Sequence, residues 1–238
     1  MNLILLHKED FVDTDRVRLN GRRFTHIRDV LSAEQEQVLQ VGMLGGKLGT
    51  GRISALAQDT VELTILLQHD PPPPLSATVI MALPRPKVFR RVLQGLTAMG
   101  VKRIILLNSW RVDKSYWHSP TLNPENLQEQ MLLGLEQARD TRLPKVEIQQ
   151  LFKPFVEDIL PSIAKGTCAL VAHPHAVQAC PANLYEAVTL AIGPEGGFTP
   201  YEIEKLEEAG LSPVHLGPRP LRVETAVPAL LGRLQGCS

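Results

Sequence analysis

Two glycine-bearing loops near the C-terminal end hold the residues best placed to bind a ligand. Residues 192–198 are Ile-Gly-Pro-Glu-Gly-Gly-Phe, and residues 216–226 are Leu-Gly-Pro-Arg-Pro-Leu-Arg-Val-Glu-Thr-Ala. Each loop follows an apolar run typical of a buried strand and precedes a pattern typical of a helix. Because ligands bind outside the carboxyl ends of the strands in an open α/β sheet, the two loops predict one binding site.

The first loop favours a nucleoside held by backbone groups. Gly193, Gly196 and Gly197 lack Cβ atoms, so the main chain there can approach a ligand closely. Neither the dinucleotide-binding motif nor the Walker motif is present, and the carboxylate of Glu195 would repel a phosphate. A plain tight turn is the alternative interpretation, because glycine and proline are also common turn residues.

The second loop places charged side chains at the start of the last predicted helix. Arg222 and Glu224 are the candidates for contact with a ligand. The alternatives are a surface charge for Arg222 and, for Glu224, an acid that stabilises the positive end of the helix dipole.

The overall composition is typical of a globular domain, with 238 residues, 44% hydrophobic and 21% charged. A formal net charge of zero argues against a protein that binds nucleic acid through its overall charge. Three cysteines without metal-ligand spacing predict neither a disulfide framework nor a metal site. No segment approaches the roughly 20 apolar residues of a membrane span, so we expect a cytoplasmic protein.

Basic residues nonetheless cluster in two stretches. The first holds Arg16, Arg18, Arg22, Arg23 and Arg28, and the second holds Arg85, Lys87, Arg90, Arg91, Lys102 and Arg103. Taken alone, each cluster is typical of a solvated face. The clusters gain a functional meaning only if the fold brings them near the site.

Four consecutive prolines at positions 71–74 mark a boundary between two patterns. Before them, short strands at residues 3–6, 38–41, 52–57 and 61–67, a hairpin loop at 45–49 and a short helix predict a small β-rich barrel. After them, strands alternate with helices, which predicts a parallel α/β sheet. The predicted strands are 78–83, 101–107, 146–151, 168–172, 187–192 and 214–216, and the predicted helices include 154–165, a capped helix from Thr199 to Gly210, and 223–234.

The two loops, in residue type, order and spacing, resemble the motif pair of the SPOUT-class RNA methyltransferases. Within that class the chain resembles the family that methylates N3 of a uracil in 16S rRNA. Weaker similarity covers most of the chain. It includes His26-Ile27, Val30-Leu31, Lys87, Thr97, Gly100-Val101, Glu136-Gln137 and Pro144.

The resemblance implies an N-terminal PUA-like β-barrel that binds RNA, over residues 1–70, and a C-terminal α/β domain with a trefoil knot, over 75–238. It also implies a homodimer with each site at the subunit interface, and S-adenosylmethionine as the methyl donor, with no metal. The residues that match the cofactor loops are Val171, Ala172, His173, Ile192, Gly193, Pro194, Glu195, Gly196, Gly197, Leu216, Gly217, Leu221, Arg222, Thr225 and Ala226.

The implied reaction needs a group that handles the proton on uracil N3, which is a poor nucleophile until that proton is lost. A base, or a cation that stabilises the uracil anion, would serve. Arg222 and Arg111 are the candidate cations, and Glu224 is a candidate base or a residue that orients the loop. The resemblance implies uracil 1498 of 16S rRNA in the small ribosomal subunit as the target. The predicted RNA contacts are Arg16, Arg18, Arg22, Arg23, His26, Arg28, Arg85, Lys87, Arg90 and Arg91.

Several positions depart from the family pattern, and they keep a second function open. The departures include Ser32, Gly95, Ala98, Ala138, Asp140 and Pro220, and the surroundings of Trp110 also look unlike the common form. The second hypothesis is an RNA-binding ribosome-assembly factor that keeps a cofactor pocket without methylating. A third, a nucleotide-binding hydrolase, is disfavoured by the missing Walker lysine and by Glu195.

Overall fold

A computed structural model of the chain describes residues 2–235, which form two compact units. The first unit runs to Pro73 and also includes Met131–Leu143, and the second comprises Pro74–Gln130 and the chain from Pro144 onward. The observed units differ from the predicted division into residues 1–70 and 75–238 in one segment. The segment Met131–Leu143, expected in the second domain, groups with the first.

The first unit contains a five-stranded sheet in the order β1-β3-β4-β5-β2. Strands β1 and β3 are parallel, and the other neighbours are antiparallel. A 3₁₀ turn (Lys8–Asp10) follows β1, and helix α1 (Gly21–Thr25) continues as a π-helical turn (His26–Val30). The strands are β1 (Ile4–Leu6), β2 (Arg16–Leu19), β3 (Val38–Met43), β4 (Leu48–Leu56) and β5 (Val61–His69).

The core of this sheet is apolar and fully buried, with Leu6, Val17, Ile27, Ile53 and Leu63 at its centre. Strand β2 was not among the predicted strands. It alternates exposed arginines with buried Val17 and Leu19, which is the pattern of a strand with one solvated face. The strand is only four residues long, so its alternation is too short to be distinctive in the sequence.

Strand β4 begins at Leu48, four residues before the predicted start. The cause is Gly49, which was assigned to the hairpin loop. A Cβ at this position would overlap the carbonyl oxygen of Leu66 in the paired strand. The glycine therefore allows close approach of two strands, and the turn itself is shorter than predicted.

The segment Met131–Leu143 joins the first unit through burial and charge pairing. Leu135 is fully buried in a cluster with Leu3 and Leu5. The carboxylate of Glu136, 2% exposed as a residue, accepts two hydrogen bonds from the guanidinium of Arg22, at 2.7 and 3.0 Å. A helical period cannot show which unit a helix packs against, so the sequence placed this segment by chain order.

The second unit is built on a seven-stranded, wholly parallel sheet in the order β10-β12-β9-β11-β6-β7-β8. The predicted α/β class with a parallel sheet is confirmed. The strands are β6 (Leu75–Ala82), β7 (Val101–Leu107), β8 (Lys145–Gln149), β9 (Cys168–Ala172), β10 (Gln178–Ala179), β11 (Val188–Ile192) and β12 (Ser212–His215).

Helices connect these strands. They are α2 (Pro86–Ala98), α3 (Pro124–Ala138), α4 (Phe152–Pro154), a π-helical segment (Phe155–Ile159), α5 (Leu160–Ala164), α6 (Pro200–Glu208) and α7 (Val223–Leu234). Two 3₁₀ turns, Lys114–His118 and Pro120–Leu122, precede α3, which continues into the first unit. In the described part of the chain, no helix is both long and apolar enough to cross a membrane.

The central strand β11 is buried at every residue, as expected for a parallel sheet covered on both faces. The predicted helix 154–165 is instead broken into three parts. Pro161 has no N–H to donate to the preceding turn, so the regular hydrogen-bond ladder cannot pass through it. Strand β10 was missed because it has two exposed residues, and β12 begins two residues earlier than predicted.

One stability prediction arises in the first unit. The guanidinium of Arg23 bridges both oxygens of Asp10 and the carbonyl oxygen of Leu5, and its side chain is 16% exposed. We expect Arg23→Ala to lower the free energy of unfolding by about 2–3 kcal/mol, because it leaves the buried Asp10 carboxylate unpaired. Urea unfolding followed by far-UV circular dichroism measures the loss.

The matched control is Arg18→Ala, which removes an exposed pair with Glu62. Its expected cost is below about 1 kcal/mol, since water and salt screen exposed pairs. Equal losses in the two variants would show that burial of Asp10 adds nothing to the pair.

Candidate functional site

Three loops leave the carboxyl ends of adjacent strands β12, β9 and β11 in the second unit. The ends of these strands lie side by side, since Ala172 pairs with Ile192 on one side and with Val214, one residue before the end of β12, on the other. The loops surround a cavity of about 520 Å³, within the usual size range of small-molecule sites. The predicted residues that line it are Ala172, His173, Ile192, Gly193, Pro194, Glu195, Gly196, Gly197, Leu216, Gly217, Leu221, Arg222 and Ala226, together with Arg111.

The loop after β11 folds back on itself as a tight turn. The N–H of Gly197 donates to the carbonyl oxygen of Pro194 at 2.8 Å, and Gly197 has a φ of +71°, where glycine is favoured. A Cβ on Gly193 would lie 3.0 Å from the Phe198 nitrogen and 3.2 Å from Gly197. This close packing leaves main-chain atoms, rather than side chains, on this wall of the cavity.

The loop after β12 is held by a side chain from the end of its own strand. The N–H of Gly217, with a φ of +118°, donates to Nδ1 of His215 at 2.9 Å. Arg222 then precedes helix α7, and its carbonyl oxygen accepts the N–H groups of Thr225 and Ala226. Hydrogen bonds therefore hold this loop at both of its ends, at the end of β12 and at the start of α7.

Two charged side chains tie the loop after β11 to other strand ends. Nη1 of Arg111, which follows β7, donates to the carbonyl oxygen of Gly196. Oε1 of Glu195 accepts the N–H of Arg85, which precedes helix α2, at 3.0 Å. The carboxylate of Glu195 is therefore engaged at a helix start, where the dipole favours a negative charge.

Buried Glu202 links the loop after β7 to helix α6. It is 3% exposed, and Oε2 accepts the N–H and the hydroxyl of Thr199 at 2.8 and 3.0 Å. Oε1 accepts the N–H of Trp110 at 2.7 Å. The sequence showed the capping box at Thr199 but not the third bond, whose partner lies 92 residues away.

His173 lies in the cavity wall beside a second histidine, His175. Partial burial lowers the pKa of His173 below its usual range, and neighbouring His175 lowers it further, whereas Glu207 opposes the shift. The two imidazole rings meet edge to face with centroids 5.8 Å apart. The shift favours the neutral imidazole at this position of the wall.

Three predicted site residues do not line the cavity. Val171 is fully buried inside β9, because side chains alternate along a strand and Ala172 takes the cavity side. Thr225 is exposed, and Glu224 is half-buried in the first turn of α7, where it stabilises the helix dipole. Lining residues outside the predicted set are Pro174, His175, Phe198, Val214, His215, Arg219, Pro220, Val223 and Leu230.

Each arginine of the first basic cluster is paired with an acid. The acids flank the stretch or come from distant positions in the chain. The pairs are Arg16–Asp13, Arg18–Glu62, Arg22–Glu136, Arg23–Asp10 and Arg28–Asp29. His26, from the same cluster, is half-buried in the π-helical turn. Arg23 in particular is a structural residue rather than a free surface charge.

The second basic cluster differs from the first. Arg85, Lys87, Arg90 and Arg91 are all exposed at the start and along one side of helix α2. Within residues 2–235 none of these four forms an ion pair. They therefore form an uncompensated positive surface, which we name the α2 surface.

Asp140, a departure from the family pattern, has a structural role. It is 3% exposed, and Oδ1 accepts the N–H groups of Thr141 and Arg142 at 2.6 and 3.0 Å. Across the described range 2–235, no group of three or more histidine, cysteine, aspartate or glutamate side chains is arranged to hold a metal ion.

Comparison with known proteins agrees with this geometry. A family model described as an RNA methyltransferase domain matches residues 71–235. The ribosomal RNA small subunit methyltransferase E of Treponema pallidum is 28% identical over 232 residues, which cover 95% of this chain and 87% of that protein. The corresponding protein of Synechocystis is 28% identical over 222 residues, covering 92% of this chain and 72% of that protein.

A solved structure shows the same fold together with a ligand. A protein of Legionella pneumophila described as a methyltransferase, in complex with the cofactor SAM, has a TM-score of 0.76 and 25% identity, covering 97% of this chain and 95% of that chain. Because the family model matches more than half of the residues, this chain belongs to the family of RNA methyltransferase domains.

Proposed function

We propose that this protein transfers a methyl group from S-adenosylmethionine to 16S rRNA. The observation that carries the proposal is the convergence of three strand-end loops on one cavity, one wall of which is rich in glycine. The relatives named as small subunit methyltransferases and the SAM-bound structure from Legionella support the same assignment.

The cavity suits a nucleoside-bearing sulfonium. Its volume of about 520 Å³ accommodates such a ligand, and its glycine-rich wall offers main-chain N–H and C=O groups. The lowered pKa of His173 reduces its positive charge toward a cationic ligand. S-Adenosylmethionine supplies an electrophilic methyl group when bound, and residues 172–173, 192–197 and 216–222 would hold it.

The acceptor we propose is N3 of uracil 1498 in 16S rRNA. Loss of the N3 proton to solvent spreads negative charge onto the flanking carbonyl oxygens, so a fixed cation lowers the energy of that state. Arg222 and Arg111 are exposed at the cavity wall and can supply this charge. Glu224 lies outside the lining, so we assign it to the helix start rather than to proton removal.

The variant Arg222→Ala tests whether Arg222 acts on the reaction or on cofactor binding. We expect turnover to fall by about 10- to 30-fold while the dissociation constant for S-adenosylmethionine changes less than about 3-fold, because the cation acts on the developing anion. Single-turnover kinetics and calorimetry measure the two quantities. Equal losses in both would instead assign Arg222 to cofactor binding.

RNA contact is proposed chiefly for the α2 surface, because its charges are uncompensated. The double variant Arg90→Ala/Arg91→Ala should reduce the slope of log K for RNA against log salt by about 1–2, since each phosphate contact contributes somewhat less than one unit. The control is Arg16→Ala/Arg18→Ala, whose arginines already face Asp13 and Glu62. A larger change of this slope in the control would show that RNA binds to the first unit instead.

The remaining expectations from the resemblance also belong to this proposal. They are a PUA-like character for the first unit, a trefoil knot in the second, assembly as a homodimer, and a cytoplasmic location. The curled five-stranded sheet supports a barrel-like first unit. The small ribosomal subunit is the proposed partner.

The test is the 16S rRNA modification map with and without the gene. N3-methylation blocks base pairing, so reverse transcriptase should stop beside uracil 1498 in wild-type RNA and read through in the deletion strain. A stop that persists in the deletion strain contradicts the target. Saturable S-adenosylmethionine binding without any transfer to 16S rRNA favours the alternative, a non-catalytic assembly factor motivated by Ala138 and Asp140.

A further inference from the structure

Trp110 is the large apolar side chain most exposed beside the candidate site. It is 85% exposed, and no hydrogen bond or ring contact of its indole occurs within residues 2–235. Exposing so large an apolar surface forgoes the stabilisation that burial would give. The other tryptophan, Trp117, is half-buried, and its Nε1 donates to Asn108 at 3.0 Å.

The backbone at Trp110 is fixed, although its indole is exposed. Its N–H is bound by the buried carboxylate of Glu202 at 2.7 Å. The next residue, Arg111, lines the cavity and donates to Gly196. The main chain of Trp110 is therefore held at a defined position next to the site, rather than on a loose loop.

Cations lie on both sides of the loop after β11. Arg111 is exposed and donates to Gly196 of that loop, and the N–H of Arg85, which begins the α2 surface, donates to Glu195. The loop between these cations carries the exposed carboxylate of Glu195, so a polyanion would be held by Arg111 and by the α2 surface rather than by the loop itself. Cations beside an exposed aromatic ring are the pattern by which proteins hold single-stranded nucleic acid.

We propose that the indole of Trp110 stacks on a base of the single-stranded RNA segment that carries the target nucleotide. This inference rests on the proposed function, because it assumes an RNA substrate at this cavity. Stacking uses the face of the ring and tolerates any base, whereas the adjacent arginines contact phosphates or carbonyl oxygens. Trp110 is a substrate-binding residue in this scheme, and Glu202 is the positioning residue beneath it.

The two tryptophans make a direct test possible. In Trp117→Phe, Trp110 is the only tryptophan, so its fluorescence reports on its own surroundings. We expect a target-containing RNA oligonucleotide to quench this emission, and an abasic oligonucleotide of the same length and charge to leave it nearly unchanged. In Trp110→Phe, emission from Trp117 should be insensitive to both. Circular dichroism and S-adenosylmethionine affinity check that each variant is folded.

Affinity gives a second measurement. Trp110→Ala should weaken binding of the oligonucleotide by about 5- to 100-fold, Trp110→Phe should retain most of the affinity, and neither should change S-adenosylmethionine binding. Equal quenching by normal and abasic RNA would overturn the proposal. So would a loss of cofactor binding in Trp110→Ala, or a shift of Trp110 emission to shorter wavelength on self-association without RNA.

Failure of the proposed function is distinguishable from failure of this inference. Base-dependent quenching without methyl transfer to 16S rRNA leaves Trp110 as an RNA-stacking residue and removes the assigned reaction. Methyl transfer at the wild-type rate by Trp110→Ala, with unchanged RNA affinity, removes the stacking role and leaves the reaction.

Discussion

Replacing Glu202 by alanine should lower the free energy of unfolding by about 3–5 kcal/mol and reduce methyl transfer by about 100- to 1000-fold. Three donors, the N–H groups of Thr199 and Trp110 and the Thr199 hydroxyl, lose their acceptor. Groups buried without a partner cost about 1–3 kcal/mol each, and part of this is recovered by water. Activity falls further because Trp110 and Arg111 lose their fixed backbone.

The matched control is Glu204→Ala on the same helix, where the side chain is exposed. It should change stability by less than about 0.5 kcal/mol. Glu202→Gln keeps one acceptor oxygen but points amide hydrogens at a donor, so it should fall between the two. Urea unfolding followed by tryptophan fluorescence is suitable, since Trp110 and Trp117 both belong to the second unit. Near-equal losses of unfolding free energy for Glu202→Ala and Glu204→Ala would contradict a stabilising role for the hydrogen bonds of Glu202.

Local patterns predicted the site well because its loops lie directly after strands with clear apolar runs. Residues 192–197 and 216–222 were found in the sequence, and both meet in one cavity. Because the strands that precede these loops belong to one parallel sheet, their carboxyl ends meet at the same edge. The capping box at Thr199 was equally readable, since its partners are three residues apart.

Long-range pairing was not predictable from these patterns. The acids that pair with Arg18 and Arg22 lie 44 and 114 residues away, so charge spacing along the chain could not show that these arginines are paired. For the same reason, the sequence did not predict the hydrogen bond from Trp110 to Glu202 or the place of Met131–Leu143 in the first unit. In each case the partner is chosen by packing, which a one-dimensional period does not encode.

Gly193→Val should weaken S-adenosylmethionine binding by about 100-fold or more. An added Cβ would lie 3.0 Å from the Phe198 nitrogen and 3.2 Å from Gly197. These neighbours are main-chain atoms in a tight turn, so they cannot rotate away as a side chain would. The loop must shift as a unit, and its N–H and C=O groups would leave the cavity wall. Gly193→Ala, with the Cβ alone, should lose about 10-fold.

Gly95→Ala is the matched control for the added methyl group. A Cβ at Gly95 meets nothing within 4 Å, and the residue is exposed within helix α2. We expect unchanged cofactor affinity and a gain of up to about 1 kcal/mol in stability, since alanine is the better helix former. Calorimetry gives the affinities, and urea unfolding gives the stabilities.

The position of the added Cβ, rather than its mere presence, should decide how much cofactor affinity is lost. A substitution at Gly196 tests this further. A Cβ there would meet Cδ of Arg111 at 3.0 Å, the middle of a flexible side chain that can move. Gly196→Ala should therefore disturb the hydrogen bond from Arg111 and reduce turnover, while cofactor affinity falls less than in Gly193→Ala. The opposite order would show that Gly196, rather than Gly193, keeps the loop closed against the ligand.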